Sequence, residues 1–259
     1  MGYSDVLGQN ASWRLQKRVL PGSVWNQEVY GALLVEQLSA KRNARWLDAG
    51  CGHRVLAQGL ERLEDAAVAS AASAVGMDPY PAALAAHRNI RRKVCGFLDK
   101  LPFPGESFDV VSCNMVVEHL VNPLGCFREV ARVLAPGGVA LIHTPNLLNY
   151  MVFLNHTIGR AMPKFLTMRL IRISENREEE DVFKTYYRMN TAHHMRKVAA
   201  AVGLVVEKQH FIPPPRPFFN FFLPAAFVQM LITRAMKKMR WEALESTLLV
   251  LLRKPGSLT

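Results

Sequence analysis

Apolar and polar positions along this chain follow two alternating rhythms. Short apolar runs recur at Trp46-Leu47-Asp48-Ala49, Ala74-Val75-Gly76-Met77-Asp78, Val94-Cys95-Gly96-Phe97, Phe108-Asp109-Val110-Val111-Ser112-Cys113 and Val139-Ala140-Leu141-Ile142-His143. Runs of this length suit strands buried on both faces. Between them, apolar residues take helical spacing. Val24, Val29, Leu33, Leu34 and Leu38 predict a helix over 24–38, an Ala-rich stretch predicts one from about Val55, Pro81 opens a third, and 123–134 makes a fourth. Strands alternating with helices imply right-handed βαβ crossovers, hence α/β architecture with a doubly wound, Rossmann-like, mainly parallel sheet.

The pattern breaks twice. Residues 147–190 mix apolar, basic and acidic positions, including Glu178-Glu179-Glu180-Asp181. An insertion of this length beside strand ends predicts a lid or substrate-binding element, with the acidic run on a solvated helix face. Regularity resumes with a helix over 191–201, a stop at Gly203, and strands at Leu204–Gln209 and Ser246–Leu252. Between those strands lies a second insertion, 212–243, with Pro213-Pro214-Pro215, an apolar segment from Phe218 to Ile232, and then Arg234, Lys237, Lys238 and Arg240. The expected organisation is one domain over 1–259, with a helical cover at 1–40 and these two insertions.

Half of the 259 residues are apolar, enough for a substantial core, and the net charge is +11. The charge is unevenly placed: residues 1–150 carry 15 basic against 13 acidic side chains, and residues 151–259 carry 17 against 8. A field of that sign favours an acidic substrate, a phosphate-bearing carrier, an anionic membrane surface or nucleic acid, with a merely solvated basic surface as the alternative. Cys51, Cys95, Cys113 and Cys126 are scattered, which reads as reduced thiols in a cytoplasmic protein and disfavours structural zinc. There is neither a secretory signal pattern nor a long uninterrupted apolar stretch. The expectation is therefore a cytoplasmic protein, with Phe218, Phe219, Phe221 and Phe222 read as a lid or core face and, with the basic cluster after them, peripheral membrane contact left open as the alternative.

The chemistry concentrates at Asp48-Ala49-Gly50-Cys51-Gly52, where a buried strand ends in an acid and a tight glycine turn. Such a turn predicts a nucleotide-type pocket, its backbone N–H groups delivered by a helix that starts directly after it. A dinucleotide fingerprint would need a third glycine where Val55 stands, and no G-x-x-x-x-G-K-[ST] loop occurs. Hydride transfer and P-loop chemistry are both disfavoured.

Five motifs in order resemble the class I S-adenosylmethionine-dependent methyltransferases, in particular the bacterial type 11-like group. They are Trp46 to Gly52, Val75-Gly76-Met77-Asp78, Leu98-Asp99-Lys100-Leu101-Pro102-Phe103, Ser107 to Val111 with Val117-Glu118-His119-Leu120, and Arg132-Val133-Leu134-Ala135-Pro136-Gly137-Gly138. The resemblance spans about 44–146 and resumes from about 186. It implies a seven-stranded sheet with an antiparallel last strand and S-adenosyl-L-methionine as cofactor. It further implies that Gly50 and Gly52 approach the methionine portion, that Asp48 helps hold its amino group, that Asp78 accepts the ribose hydroxyls and that Asp99 binds the adenine with Leu101 packing nearby, with Cys51, Pro79, Lys100 and Asn114 also in the cofactor-binding set. A helix N-cap remains open for Asp78, and a plain turn for Asp99. His53-Arg54 departs from the small residue that the family often carries there, and Arg54 has either the cofactor carboxylate or the surface to face.

Methyl transfer from a sulfonium is an in-line displacement, and a base is needed only where the acceptor must lose a proton. His119, just past the fourth strand, is the first candidate and His143 the second, although either also suits a packing role. The Glu118-His119 pair does not by itself make a metal site, and none is expected. Tyr186, Tyr187, His193 and His194 are candidates for the acceptor pocket. The Thr144-Pro145-Asn146 strand ending is similar to members acting in glycan and secondary-metabolite pathways. The expected reaction is O-methylation of a small-molecule, sugar or lipid-linked acceptor, with nucleic-acid methylation or non-catalytic cofactor binding as alternatives.

Overall fold

Trp46 and Leu47 are fully buried because β1 (Arg45–Ala49) runs through the middle of the sheet. In this computed structural model, which describes residues 15–161 apart from 17, 22 and 23, then 184–214 and 223–256, the elements follow the predicted alternation. They are α1 (Asn26–Ser39), β1, α2 (Glu61–Ser70), β2 (Ser73–Asp78), α3 (Pro81–Ala86), β3 (Arg92–Cys95), β4 (Phe108–Asn114), α4 (Pro123–Val133) and β5 (Leu134–Pro145). There follow α5 (Tyr150–Ala161), α6 (Ala192–Ala201), β6 (Val205–Ile212), α7 (Leu223–Lys238) and β7 (Thr247–Arg253). The Glu178–Asp181 run and Phe218, Phe219, Phe221 and Phe222 lie outside the described residues.

The seven strands form one sheet in the order β3-β2-β1-β4-β5-β7-β6, mostly parallel with an antiparallel last strand, a Rossmann-like α/β fold. β1 pairs with β2 through Asp48↔Gly76 and with β4 through Asp48↔Ser112, so the strand ends that carry Asp48, Asp78 and Asn114 lie side by side. The strand order reverses between β1 and β4, and ligands of open α/β sheets bind at the carboxyl ends beside such a switch point.

Three local expectations are corrected. The helix after the glycine turn begins at Glu61 rather than near Val55. Val55 and Leu56 are 1% exposed, spent as core plugs, and the intervening chain stays a loop. β5 starts at Leu134, five residues before the apolar run, because Leu134 already pairs with Phe108 across a register shift. β3 lies two residues earlier than its apolar centre, with Gly96 N bonded to the Asp78 carbonyl at 3.2 Å.

The chain forms two compact units. The larger comprises Gln27–Thr144, Tyr186–His210 and Leu248–Thr259, and it holds the sheet. Its helices are capped as their sequences dictate: Asn122 accepts from Gly125 N ahead of Pro123 at the start of α4, and Thr191 accepts from His194 N at the start of α6. α4 buries Phe127, Val130 and Val133. The smaller unit draws on Met1–Asn26, Pro145–Thr185 and Phe211–Thr247. In it, Val19 and Leu20 pack with Ala226 and Met230, and Asn146 Nδ2 donates to the Ala243 and Glu245 carbonyls at 2.8 Å each.

Candidate functional site

The glycine turn is held by β2. Gly50 N and Cys51 N both donate to the Met77 carbonyl, at 2.7 and 3.1 Å. Gly50 has φ +78° and Gly52 φ +53°, conformations that side chains disfavour. A Cβ on Gly50 would meet Val116 Cγ2 at 2.4 Å, whereas one on Gly52 would point into open space. The first glycine is therefore required by packing. The second leaves open backbone, its N–H on Asp78.

Asp78 ends β2 with 8% exposure, its Oδ2 accepting from Gly52 N and its Oδ1 from Tyr80 N, each at 2.9 Å. The bond to Tyr80 is local; the bond to Gly52 ties the acid to the glycine turn. Each oxygen keeps a lone pair, as a carboxylate that receives two ribose hydroxyls requires. Asp48 is 2% exposed and accepts from Ser112 Oγ at 2.6 Å, while Ser112 accepts from the Trp46 indole at 2.7 Å. Burial, opposed by that bond and reinforced by Glu64 and Asp78, pushes the Asp48 carboxyl up to about 7. Asp48 and Asp78, with Glu64 near them, concentrate negative charge beside the glycine turn.

The other cofactor candidates divide by depth. Cys51 turns its side chain onto β2, where a Cβ at Gly76 would meet its sulfur at 2.9 Å. Burial raises that thiol, so it is an inert apolar filler. Pro79 is half-buried beside Asp78 and its carbonyl accepts from Cys95 Sγ at 3.6 Å. Asp99 and Lys100 are exposed on the turn after β3, and Leu101 is buried at 4%. This loop is fastened from α4: Glu129 Oε2 accepts from Leu101 N at 2.9 Å, and Arg132 donates to the carbonyls of Leu101 and Phe103.

Asn114 is a junction. Its Nδ2 donates to the Val55 carbonyl and to Gln27 Oε1, both at 2.9 Å, and its Oδ1 accepts from Gln27 Nε2 at 3.1 Å. His143 Nδ1 lies 2.8 Å from the same Oδ1. His143 is fully buried, stacked on Tyr30 with ring centroids 5.4 Å apart, and burial pushes it down to about 3. A neutral, sealed imidazole cannot exchange protons with an acceptor, so the geometry makes His143 a core histidine that braces Asn114. Arg54 lies in the field of Glu61 and Glu64, whose carboxyls it helps hold ionised, while His53 is exposed.

His119 ends the short turn Val117–His119 after β4, with 29% of its side chain exposed. Its Nε2 is 3.9 Å from Glu118 Oε1. Glu118, 3% exposed, accepts from Thr144 Oγ1 at 2.8 Å, and Thr144 accepts from Asn190 Nδ2 at 2.6 Å. The Glu118 carbonyl accepts from Tyr186 N and Tyr187 N at 2.7 and 3.1 Å, which brings the tyrosine segment to the His119 turn. His193 and His194 are exposed at the start of α6. Gln27, Glu129 and Asn190 were not expected here and reach their partners from far along the chain, whereas Arg132 and Thr144 stood in motifs without an assigned contact.

A glycine turn between two strand-end acids thus lies at the switch point of a doubly wound sheet. The model of a methyltransferase domain matches residues 25–209, and the chain belongs to this S-adenosylmethionine-dependent family. It is 32% identical over 102 residues to a ubiquinone biosynthesis O-methyltransferase of Parvibaculum lavamentivorans, covering 39% of this chain and 40% of that one. A Mycolicibacterium smegmatis protein provisionally named an S-adenosylmethionine-dependent methyltransferase is 37% identical over 108 residues, 40% of this chain and 39% of that one. The chain thus spans about two fifths of the length of these curated relatives. Among solved structures, geranyl diphosphate C-methyltransferase from Streptomyces coelicolor shares the fold, with TM-score 0.53 and 15% identity over 88% of this chain and 76% of that one. So does the [4+2]-cyclase SpnF, with TM-score 0.54 and 15% identity over 89% and 82%.

Proposed function

We propose that the chain transfers a methyl group from S-adenosylmethionine to an oxygen nucleophile on a small or lipid-linked acceptor. The observation that carries this reading is the acid cradle, in which Asp48 and Asp78 flank a backbone turn with no side chain at Gly52. S-adenosylmethionine supplies a methyl group on a positively charged sulfur, open to in-line displacement. Asp78 would hold the ribose hydroxyls, Asp48 the cationic amino group, and the 97–103 loop the adenine side. The fields of Asp48, Asp78 and Glu64 complement the cation.

At the acceptor, His119 would take the hydroxyl proton as the oxygen lone pair forms its bond to carbon. Its partial exposure leaves room for that contact, and Glu118 Oε1 lies 3.9 Å from its Nε2. Oxygen as the nucleophile is supported by the ubiquinone biosynthesis O-methyltransferase among the relatives.

Fold alone does not decide the reaction, since a cyclase shares it. Calorimetric titration with S-adenosylmethionine, followed by a labelled-methyl assay against fractionated metabolites, separates the readings. Binding with transfer to a hydroxyl acceptor supports methylation. Binding without transfer to any fraction points to a cofactor-holding protein, and absent binding removes both.

A further inference from the structure

We propose that α7 and the residues just after it form a docking face for an anionic phospholipid bilayer. Within the smaller unit, α7 is apolar on two faces, one buried and one exposed. Its inward stripe includes the polar Gln229 and Thr233, at 6% and 4% exposure, along with Ala226, Met230 and Met236. Its outward stripe carries Phe227, Val228, Leu231 and Ile232, each between 41% and 56% exposed. A helix bathed only in water would carry polar residues on this second, exposed face.

Charge complements this apolar face. Arg234, Lys237, Lys238 and Arg240 follow it within two turns, all exposed, and Trp241 comes next at 52% exposure. The nearby acids are Glu242, which is exposed, and Glu245, which is buried and faces Lys237. An apolar stripe, a block of lysine and arginine, and an interfacial tryptophan are what a helix lying in the headgroup plane of an anionic membrane presents. Val228 and Ile232 also line an open apolar cleft of about 440 Å³, with Tyr150, Met151, Pro224 and Ala225 forming other parts of its wall. No helix among the described residues is long and apolar enough to cross a membrane.

Co-sedimentation of the full chain with phosphatidylcholine vesicles, with and without phosphatidylglycerol, tests this. The protein is expected to sediment with the anionic vesicles and to be released by salt. Lys238→Gln and Arg234→Gln should each weaken the partition about fivefold, and Leu231→Asp by tenfold or more. All three positions are exposed, so melting temperatures should stay at the wild-type value; if Leu231→Asp melts lower, the two charge variants carry the test. Absent binding, equal binding to both vesicle types, or a concentration-dependent dimer abolished by Leu231→Asp overturns the proposal. The measurement uses no methyl donor, so this face and the methyl-transfer reading stand or fall separately.

Discussion

Ser112 Oγ donates to Asp48 Oδ1 at 2.6 Å, and both residues sit in the interior with the Trp46 indole behind them. The serine supplies one hydrogen bond to a carboxylate whose burial calls for more, which is why Asp48 titrates near 7 rather than near 4.

That displacement has a signed consequence for stability. A carboxyl raised on folding contributes stability that is complete below its unfolded value near 4 and lost as pH rises through about 7. Buried His87 and His143, lowered to about 4 and about 3, act in the opposite direction below about 6.5. Comparing Asp48→Asn with wild type cancels the histidines: melting curves of the ligand-free proteins should converge or diverge only between about pH 4 and 7.

Ligand affinity should show the reverse trend. Ionised Asp48 attracts the cationic amino group, so wild-type affinity for S-adenosylmethionine rises from pH 5.5 to 7.5. In Asp48→Asn it should be weaker at the upper end and nearly flat. A variant that keeps the wild-type slope would remove Asp48 from the amino-group site.

Asp78→Ala should weaken cofactor binding by about 1–3 kcal/mol, through loss of charge-assisted hydrogen bonds. Titration calorimetry reads this directly, and unchanged affinity rules out the ribose role.

The two glycines should separate stability from binding. Gly50→Ala places a Cβ 2.4 Å from Val116 in a strained backbone and should cost about 2–4 kcal/mol in denaturant unfolding. Gly52→Ala meets no neighbour, so it should cost about 1 kcal/mol of stability and lose most of its affinity for the cofactor. Equal losses in both assays for both variants would contradict the assignment.

His119→Ala should lower kcat for a hydroxyl acceptor about 10²–10⁴-fold with cofactor affinity intact. Thr144→Val removes the donor that holds Glu118 and should lower kcat about tenfold at unchanged cofactor affinity, with Thr144→Ser restoring it. Loss of cofactor affinity in place of kcat would make this chain of contacts structural only.

Much of the frame was legible along the chain. β1, β2 and β4 were visible because a buried parallel strand must be an unbroken apolar run, and the acid and glycines at its end stand out against that run. The start of β5 was not, since Leu134-Ala135-Pro136-Gly137-Gly138 carries turn residues and becomes strand only because β4 offers it partners. The glycine turn likewise looked like a helix start until core packing claimed Val55 and Leu56.

The sequence by itself determined the order of the strands, the helices α1–α4 and α6 among them, the glycine turn, and the acids that end β1 and β2, because these depend on local periodicity and backbone freedom; α5 and α7 lay hidden in the two insertions. Tertiary structure alone decided which groups titrate and which are held. Asp48 is raised and His143 silenced by burial, a property of the whole surround. Asn114 meets Gln27, and Glu118 meets Thr144 and Asn190, across separations that no local pattern spans. Residue type supplied the chemistry, and desolvation with long-range contact selected which of it remains available.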